Sequence, residues 1–210
     1  MFTGIVREIG LLRSLERASG GTKIRIDAPL SARALVKGGS IAVDGACLTA
    51  TAVENGAFTA DIVPETMART IWADRKPGDR LNLELPMRIG DVLDGHLVQG
   101  HVDGVGIVQA VSRQENQWTL EVSPPEELLR LIATKGSIAV NGVSLTVASV
   151  RGGSFSVALI PTTLEETNLK ELEPGSRVNL EVDLLARYAA RLLEGQSQLE
   201  RQSQSEGRSR

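Results

Sequence analysis

The sequence predicts an all-β fold: two tandem, similar small Greek-key β-barrels, each with a short helix, followed by a C-terminal helix. Three observations predict it. A period of about 97 residues runs through most of the chain, short alternating segments are punctuated by turn residues, and the apolar spacing becomes helical after residue 183.

The period comes first. SIAVDGACLTA (40–50) returns as SIAVNGVSLTV (137–147), 97 residues later. At the same offset IVPETMARTIW (62–72) lies over LIPTTLEETNL (159–169), and PGDRLNLELPM (77–87) over PGSRVNLEVDL (174–184). TGIVREIG (3–10) lies over QGHVDGVG (99–106) at offset 96. Four blocks in one order indicate a duplicated domain, with a period too long for a solenoid. The expected units are therefore 1–96, 97–183, a helix over 184–195 and a tail over 196–210.

The elements follow in order. TKIRIDA (22–28) and WTLEVS (118–123) alternate apolar and polar residues, as strands with one buried face do. PPEELLRLIA (124–133) opens on prolines and acids and then spaces apolar residues helically, so it predicts a short helix; APLSARALV (28–36) is its weaker counterpart. FTADIV (58–63) and FSVALI (155–160) follow the turn residues NG and RGGS, and RLNLEL and RVNLEV each follow Pro-Gly. In LLARYAARLLE (184–194), Leu184, Leu185, Tyr188, Leu192 and Leu193 share a helical face, with Arg187 and Arg191 opposite. The polar, low-complexity GQSQLERQSQSEGRSR is expected to be disordered.

Composition excludes several classes. A formal charge of −3 and a pI near 5.5 provide no basic field for nucleic acid, and 3% aromatic residues provide no stacking platform. The single cysteine, Cys47, forms no intramolecular disulfide, and with His96 and His101 it makes a poor zinc set, so no metal is expected. No apolar run approaches the roughly 18 residues of a membrane span. Arg7 and Glu8 close behind a short apolar run are unlike a secretory leader. A soluble cytoplasmic protein is expected.

With these blocks placed, MFTGIV, DGACLTA, DIVPETMART, GHLVQGHVDG, NGVSLTV, LIPTTLEETNL and VNLEVDLLARY together resemble the riboflavin synthase family of tandem lumazine-binding barrels, over about residues 1–190. The resemblance implies a transferase without cofactor or metal. It would dismutate two molecules of 6,7-dimethyl-8-ribityllumazine, one giving a four-carbon unit to the other, to form riboflavin and 5-amino-6-ribitylamino-uracil. It further implies a homotrimer held by the C-terminal helices, with each site between the N-barrel of one subunit and the C-barrel of the next. It also raises lumazine synthase as a partner. A reaction consuming two copies of one substrate suits two copies of one pocket.

The resemblance also distributes the ligand contacts. Gly4, Ile5 and Val6, with Gly100, His101 and Val102, are read as an early strand where backbone can approach a flat ring closely. Cys47 and Thr49 lie i, i+2 on one strand face around Leu48, and Ser144 and Thr146 repeat this around Leu145. Asp61, Ile62 and Val63 run into the corner Pro64, Glu65 and Thr66; Ala158, Leu159 and Ile160 run into Pro161, Thr162 and Thr163. Lys135 resembles a family ligand contact, whereas its twin position is Gly38. Taken alone, a strand Thr is usually only a good strand former.

Cys47, Ser144, Thr146, His101 and Asp183 are the catalytic candidates. Cys47 reads either as an inert buried thiol or as a ligand-facing one. His101 is a base, a ring-positioning donor or a satisfied barrel residue. Asp183 either orients Ser144 or a neighbouring hydroxyl, or simply caps the last helix. His96 carries only a structural reading. Two positions depart from the family pattern: Asn141 stands where many relatives have an acid, and Thr162 where Glu is common. The rival readings are a non-catalytic lumazine or flavin antenna, a flavin oxidoreductase barrel and a purely structural module. The oxidoreductase lacks its nicotinamide-binding βαβ unit here.

Overall fold

A computed structural model describes the backbone of residues 1–18, 20–114 and 117–207, with side chains for these except at 18 and after 196. The first half contains β1 (Glu8–Ala18), β2 (Gly21–Asp27), β3 (Ser40–Val43), β4 (Ala46–Glu54), β5 (Ala57–Ile62), helix α1 (Pro64–Arg69) and β6 (Arg80–Glu84). The second repeats this as β7 (Gly104–Gln114), β8 (Gln117–Ser123), β9 (Ser137–Val140), β10 (Val143–Arg151), β11 (Ser154–Leu159), α3 (Pro161–Glu166) and β12 (Arg177–Val182), with helix α2 (Glu126–Leu129) after β8. Each set closes into an antiparallel barrel, ordered β1-β2-β5-β4-β3-β6 and β10-β11-β8-β7-β12-β9. Helix α4 (Leu184–Gly207) follows. Among the described residues no helix is long and apolar enough to cross a membrane.

Alternation closes the barrels. Leu12, Ile24, Ile26, Ile41, Phe58, Leu81 and Leu83 fill the first interior, and Leu120, Ile138, Phe155, Val157, Val178 and Leu180 the second. The ladders slip at Leu12/Ser14 and Ala50/Ala52, and at the twin points Val108/Ala110 and Val147/Ser149. Such slips bend a strand enough to turn a small sheet on itself.

The two halves are related by a pseudo-twofold axis. Phe2 bridges antiparallel to Val98, its own repeat partner. Across the axis Arg177 pairs with Asp74 at 2.6 Å and Arg80 with Glu171 at 3.2 Å, each pair being the repeat image of the other. Val6 from the N-terminal segment packs in the core of the second barrel. A buried amide network joins the halves. Asn82 Nδ2 donates to Asn141 O and Asn168 Oδ1 at 2.9 Å each, Asn168 N donates to Asn82 Oδ1 at 2.7 Å, and Asn179 Nδ2 donates to Asp44 O at 2.8 Å.

One charge sits in that network. Burial pushes the Asp44 carboxyl above its usual range, while Arg75, the Asn82 N–H and the Asn168 amide pull it back. The repeat images of Asp44 and Arg75 are Asn141 and Leu172. Where the countercharge is missing, so is the acid, which accounts physically for Asn141.

Several expectations need correction. Residues 4–6 and 100–102 lie outside the strands, because buried carboxylates and the opposite barrel take their main-chain bonds. The stretch 28–36 holds only a 3₁₀ turn at Ser31–Arg33, and 124–133 helix only over Glu126–Leu129. The Pro-x-Thr corners are the short helices α1 and α3, with Pro64 and Pro161 in the first turn. The last helix runs past 195 to Gly207, through Gln, Glu, Leu and Arg residues that favour helix and no proline. Residues 208–210 of the expected tail lie outside the described residues.

N141D should lose about 2–4 kcal/mol of stability at neutral pH in denaturant unfolding, because it buries an acid beside Leu172 rather than Arg75. The loss should shrink as pH falls and the acid protonates. Adding L172R should recover at least half of it, since that pair recreates Asp44–Arg75.

Candidate functional site

Strands β4 and β10 carry twin faces. Leu48 and Leu145 point into the barrel cores, so only their main chain is available to a ligand. Cys47 and Thr49 lie on the opposite side of β4: Thr49 is exposed, and Cys47 is half-buried against Phe2, Ala42, Val98 and Ala139. Ser144 and Thr146 repeat this on β10, half-buried and exposed. Burial pushes the Cys47 thiol up from its usual pKa, with the Ser40 hydroxyl opposing, which leaves it a poor nucleophile at neutral pH.

Each face is crossed by a segment of the other half. Cys47 N donates to Gly100 O at 2.9 Å, and Ser144 N to Gly4 O at 2.7 Å. A Cβ on Gly100 would stand 2.5 Å from Cys47 Cβ, and one on Gly4 2.6 Å from Ser144 Cβ; their φ angles are +79° and +74°. Only glycine satisfies both the contact and the left-handed backbone. The crossing segments are anchored by two buried glutamates. Glu84 accepts from Thr3 N and Thr3 Oγ1 at 2.7 Å each and from Gly4 N at 2.9 Å. Its repeat image Glu181 accepts from Gln99 N, Gly100 N and His101 N at 2.7, 2.9 and 3.0 Å. The amides of Gly4 and Gly100 are therefore committed within the protein. The glutamates escaped the sequence reading because Asn-Leu-Glu in β6 and β12 resembles an ordinary solvated strand face. Only the recurrence of that tripeptide in both halves hinted otherwise.

Ser144 Oγ and His96 Nδ1 share a hydrogen bond of 2.7 Å. His96 is buried and its Nε2 has no hydrogen-bond partner among the described residues. Burial pushes its pKa below the usual value, and the Asp183 carboxylate pulls it partly back. Asp183 itself caps α4, accepting from Leu185 N at 2.9 Å. His96, not Asp183, is thus the bonded partner of Ser144. The sequence reading missed this because the repeat offset carries position 96 ahead of residue 1, so His96 has no twin to draw attention to it.

The remaining expected residues are divided between the surface, the corners and the barrel cores. Asp61, Val63 and Ile160 are exposed and Ala158 is half-exposed, while Ile62 and Leu159 belong to the barrel cores. Thr66 and Thr163 are half-buried, and each carbonyl accepts a 2.6 Å bond, from the hydroxyls of Thr70 and Thr167. Glu65 pairs with Arg69 one turn on. Its image Thr162 would face Glu166, so a second acid there would meet like charge. Ile5 and Val102 are half-buried; the His101 side chain is exposed, outside either barrel interior. Lys135 is exposed, with φ +68°, and its N donates to Val147 O at 2.8 Å; Gly38 makes the equivalent bond to Ala50 O at 2.8 Å.

A cavity of about 780 Å³ opens beside the first barrel. Ile5 is the one expected residue lining it, along with Ser40, which pairs with Thr49 across the ladder. Among the described residues no group of three His, Cys, Asp or Glu side chains could hold a metal ion.

The model of the lumazine binding domain matches residues 3–86 and 99–183. The chain is 42% identical over 197 residues to riboflavin synthase of Mycobacterium tuberculosis, covering 92% of this chain and 98% of the relative. It is 36% identical over 193 residues to riboflavin synthase of Bacillus subtilis, covering 92% and 90%. A crystal structure of LumP complexed with riboflavin superposes with a TM-score of 0.82 at 25% identity, over 87% of this chain and 99% of that one.

Burial, opposed by the Gln99 and Gly100 N–H groups and Arg187, pushes Glu181 up to about 7 from a usual 4.5. The folded form therefore holds this proton more tightly than the unfolded chain. Its contribution is full below about pH 4.5 and is lost as pH rises to about 7. E181Q should flatten that slope, worth at most about 3 kcal/mol, in unfolding measured across the window.

Proposed function

The chain belongs to the lumazine-binding domain family, and on that premise we propose that it is an enzyme of riboflavin formation. It would transfer a four-carbon unit between two molecules of 6,7-dimethyl-8-ribityllumazine, giving riboflavin and 5-amino-6-ribitylamino-uracil. The observation that carries this reading is the doubling of one face, Cys47/Thr49 and Ser144/Thr146, with a glycine backbone laid across each copy. A flat heterocycle needs such a close, side-chain-free wall, and a reaction between two identical heterocycles needs two.

The protein's task is then mostly placement. Holding two reactants in attack geometry lowers a barrier by roughly 7–11 kcal/mol, and the ring supplies its own acidity at the 7-methyl group. Thr49 and Thr146 lie exposed at the face edges, where they offer hydroxyls to polar ligand groups. Ser144 and neutral His96 form a side-chain pair on the second face equipped to hold or move a proton. Lys135 takes a left-handed backbone that costs a non-glycine residue about 1–2 kcal/mol. The twin of this strained position is Gly38, so only the second half carries a side chain there. Leu185, Tyr188, Leu192 and Leu193 form an exposed apolar stripe on α4, suited to joining subunits so that unlike barrels meet.

Purified protein given the lumazine alone should form riboflavin and the uracil in equal amounts. Tight binding with no product at any protein concentration would leave a carrier, in the manner of a LumP-like ligand binder. S144A should lower kcat about 10–100-fold with little change in KM, and an unchanged kcat would remove Ser144 from the chemistry.

A further inference from the structure

Segment 99–103 walls the Cys47/Thr49 face, and precedes β7 without joining its ladder. Side chains and isolated bonds must therefore fix it. Glu181 holds its first three N–H groups. At its far end Asp103 N donates to Leu180 O at 2.8 Å, and Asp103 Oδ2 accepts from Val182 N at 2.9 Å. The third hold comes from α4. Arg187 Nη1 donates to Gln99 Oε1 at 3.1 Å and Nη2 to Asp103 Oδ2 at 2.9 Å, so one planar fork ties both ends of the segment. The pair is largely shielded, with side chains 33% and 18% exposed, and Arg187 Nε is buried with no hydrogen-bond partner among the described residues. Surface decoration would not desolvate a guanidinium in this way.

The first half has no such device among its described residues. Thr3 stands in place of Gln99 and Arg7 in place of Asp103. The chain after β6 runs on as a linker, and Arg7, which lies near enough to Glu84 to favour its charge, pairs with Asp94 at an exposed 3.8 Å. The hold is one-sided: α4 ends the second domain yet braces a wall of the first domain's face.

We propose that Arg187 is a positioning residue, through which α4 fixes Gln99–Asp103 across Cys47 and thereby shapes the binding face of the first barrel in its own chain. The helix thus has an intrachain task distinct from joining subunits. The consequence for lumazine rests on the proposed function; the bracing of the segment over Cys47 does not.

Cys47 is the sole cysteine, so its alkylation by iodoacetamide in the intact protein reports how firmly the segment covers it. R187M keeps the apolar stem and removes the fork, and should raise the alkylation rate about tenfold. R187K, able to satisfy one acceptor, should fall between. R130A cuts a different ion pair of α4, Arg130–Glu194 at 2.9 Å, and should leave the rate unchanged. A two-site lumazine titration of R187M should weaken one class of site only. An unaltered alkylation rate in R187M, an equal rise in R130A or equal weakening of both sites would overturn the proposal. Faster alkylation in a protein that binds no lumazine would uphold the brace and sink the proposed function instead.

Discussion

The contact between Gly100 and Cys47, with its image between Gly4 and Ser144, constrains everything around it. Two backbones approach so closely that no side chain fits between them, and the approaching segments leave their own sheets to do so. A segment outside a ladder must satisfy its N–H groups elsewhere or lose stability for each one buried. Glu84 and Glu181 meet that need. Their burial is unfavourable, as the raised pKa of both carboxyls records, but each returns three hydrogen bonds to donors with no strand partner. The two barrels are consequently not beads on a string. Each face is built by both halves, and removing either half would strip the wall from the other's face.

Within that scaffold the twins differ where a partner differs. Asp44 has Arg75, and Asn141 has Leu172. Glu65 has Arg69, and Thr162 has Glu166. Each of these differences between the halves is matched by a change at the group it would face, so neither Asn141 nor Thr162 leaves an unpaired carboxylate. These are compensated exchanges at structural positions.

Much of this was legible in the sequence because duplication writes the pattern twice. The barrels, the strand faces of Cys47/Thr49 and Ser144/Thr146 and the C-terminal helix all follow from period and alternation. What stayed hidden has one physical origin: contacts between the halves. Alternation in RLNLE marks Asn82 and Glu84 as the outward face, yet Asn82 meets Asn141 and Asn168 of the second half and Glu84 meets the segment Thr3–Gly4 that crosses to it, so outward means buried. Val6 reads as a strand residue of its own domain but fills the other's core. His96 lay in a connecting stretch where spacing says nothing about what its ring touches.

Pseudo-symmetry also bears on the chemistry proposed. Two identical faces would treat two identical rings alike, whereas a dismutation needs one ring to lose a proton while the other accepts attack. The shared scaffold cannot supply that difference; only groups at the faces can. There the halves do diverge: Cys47 with its raised thiol stands opposite Ser144 bonded to His96, and Arg187 braces one wall alone. Interior residues such as Leu48 and Leu145, or the amide pair Asn82 and Asn179, remain matched. Differences at the faces, beside interior positions that stay matched, are what two unlike roles on one duplicated fold would require.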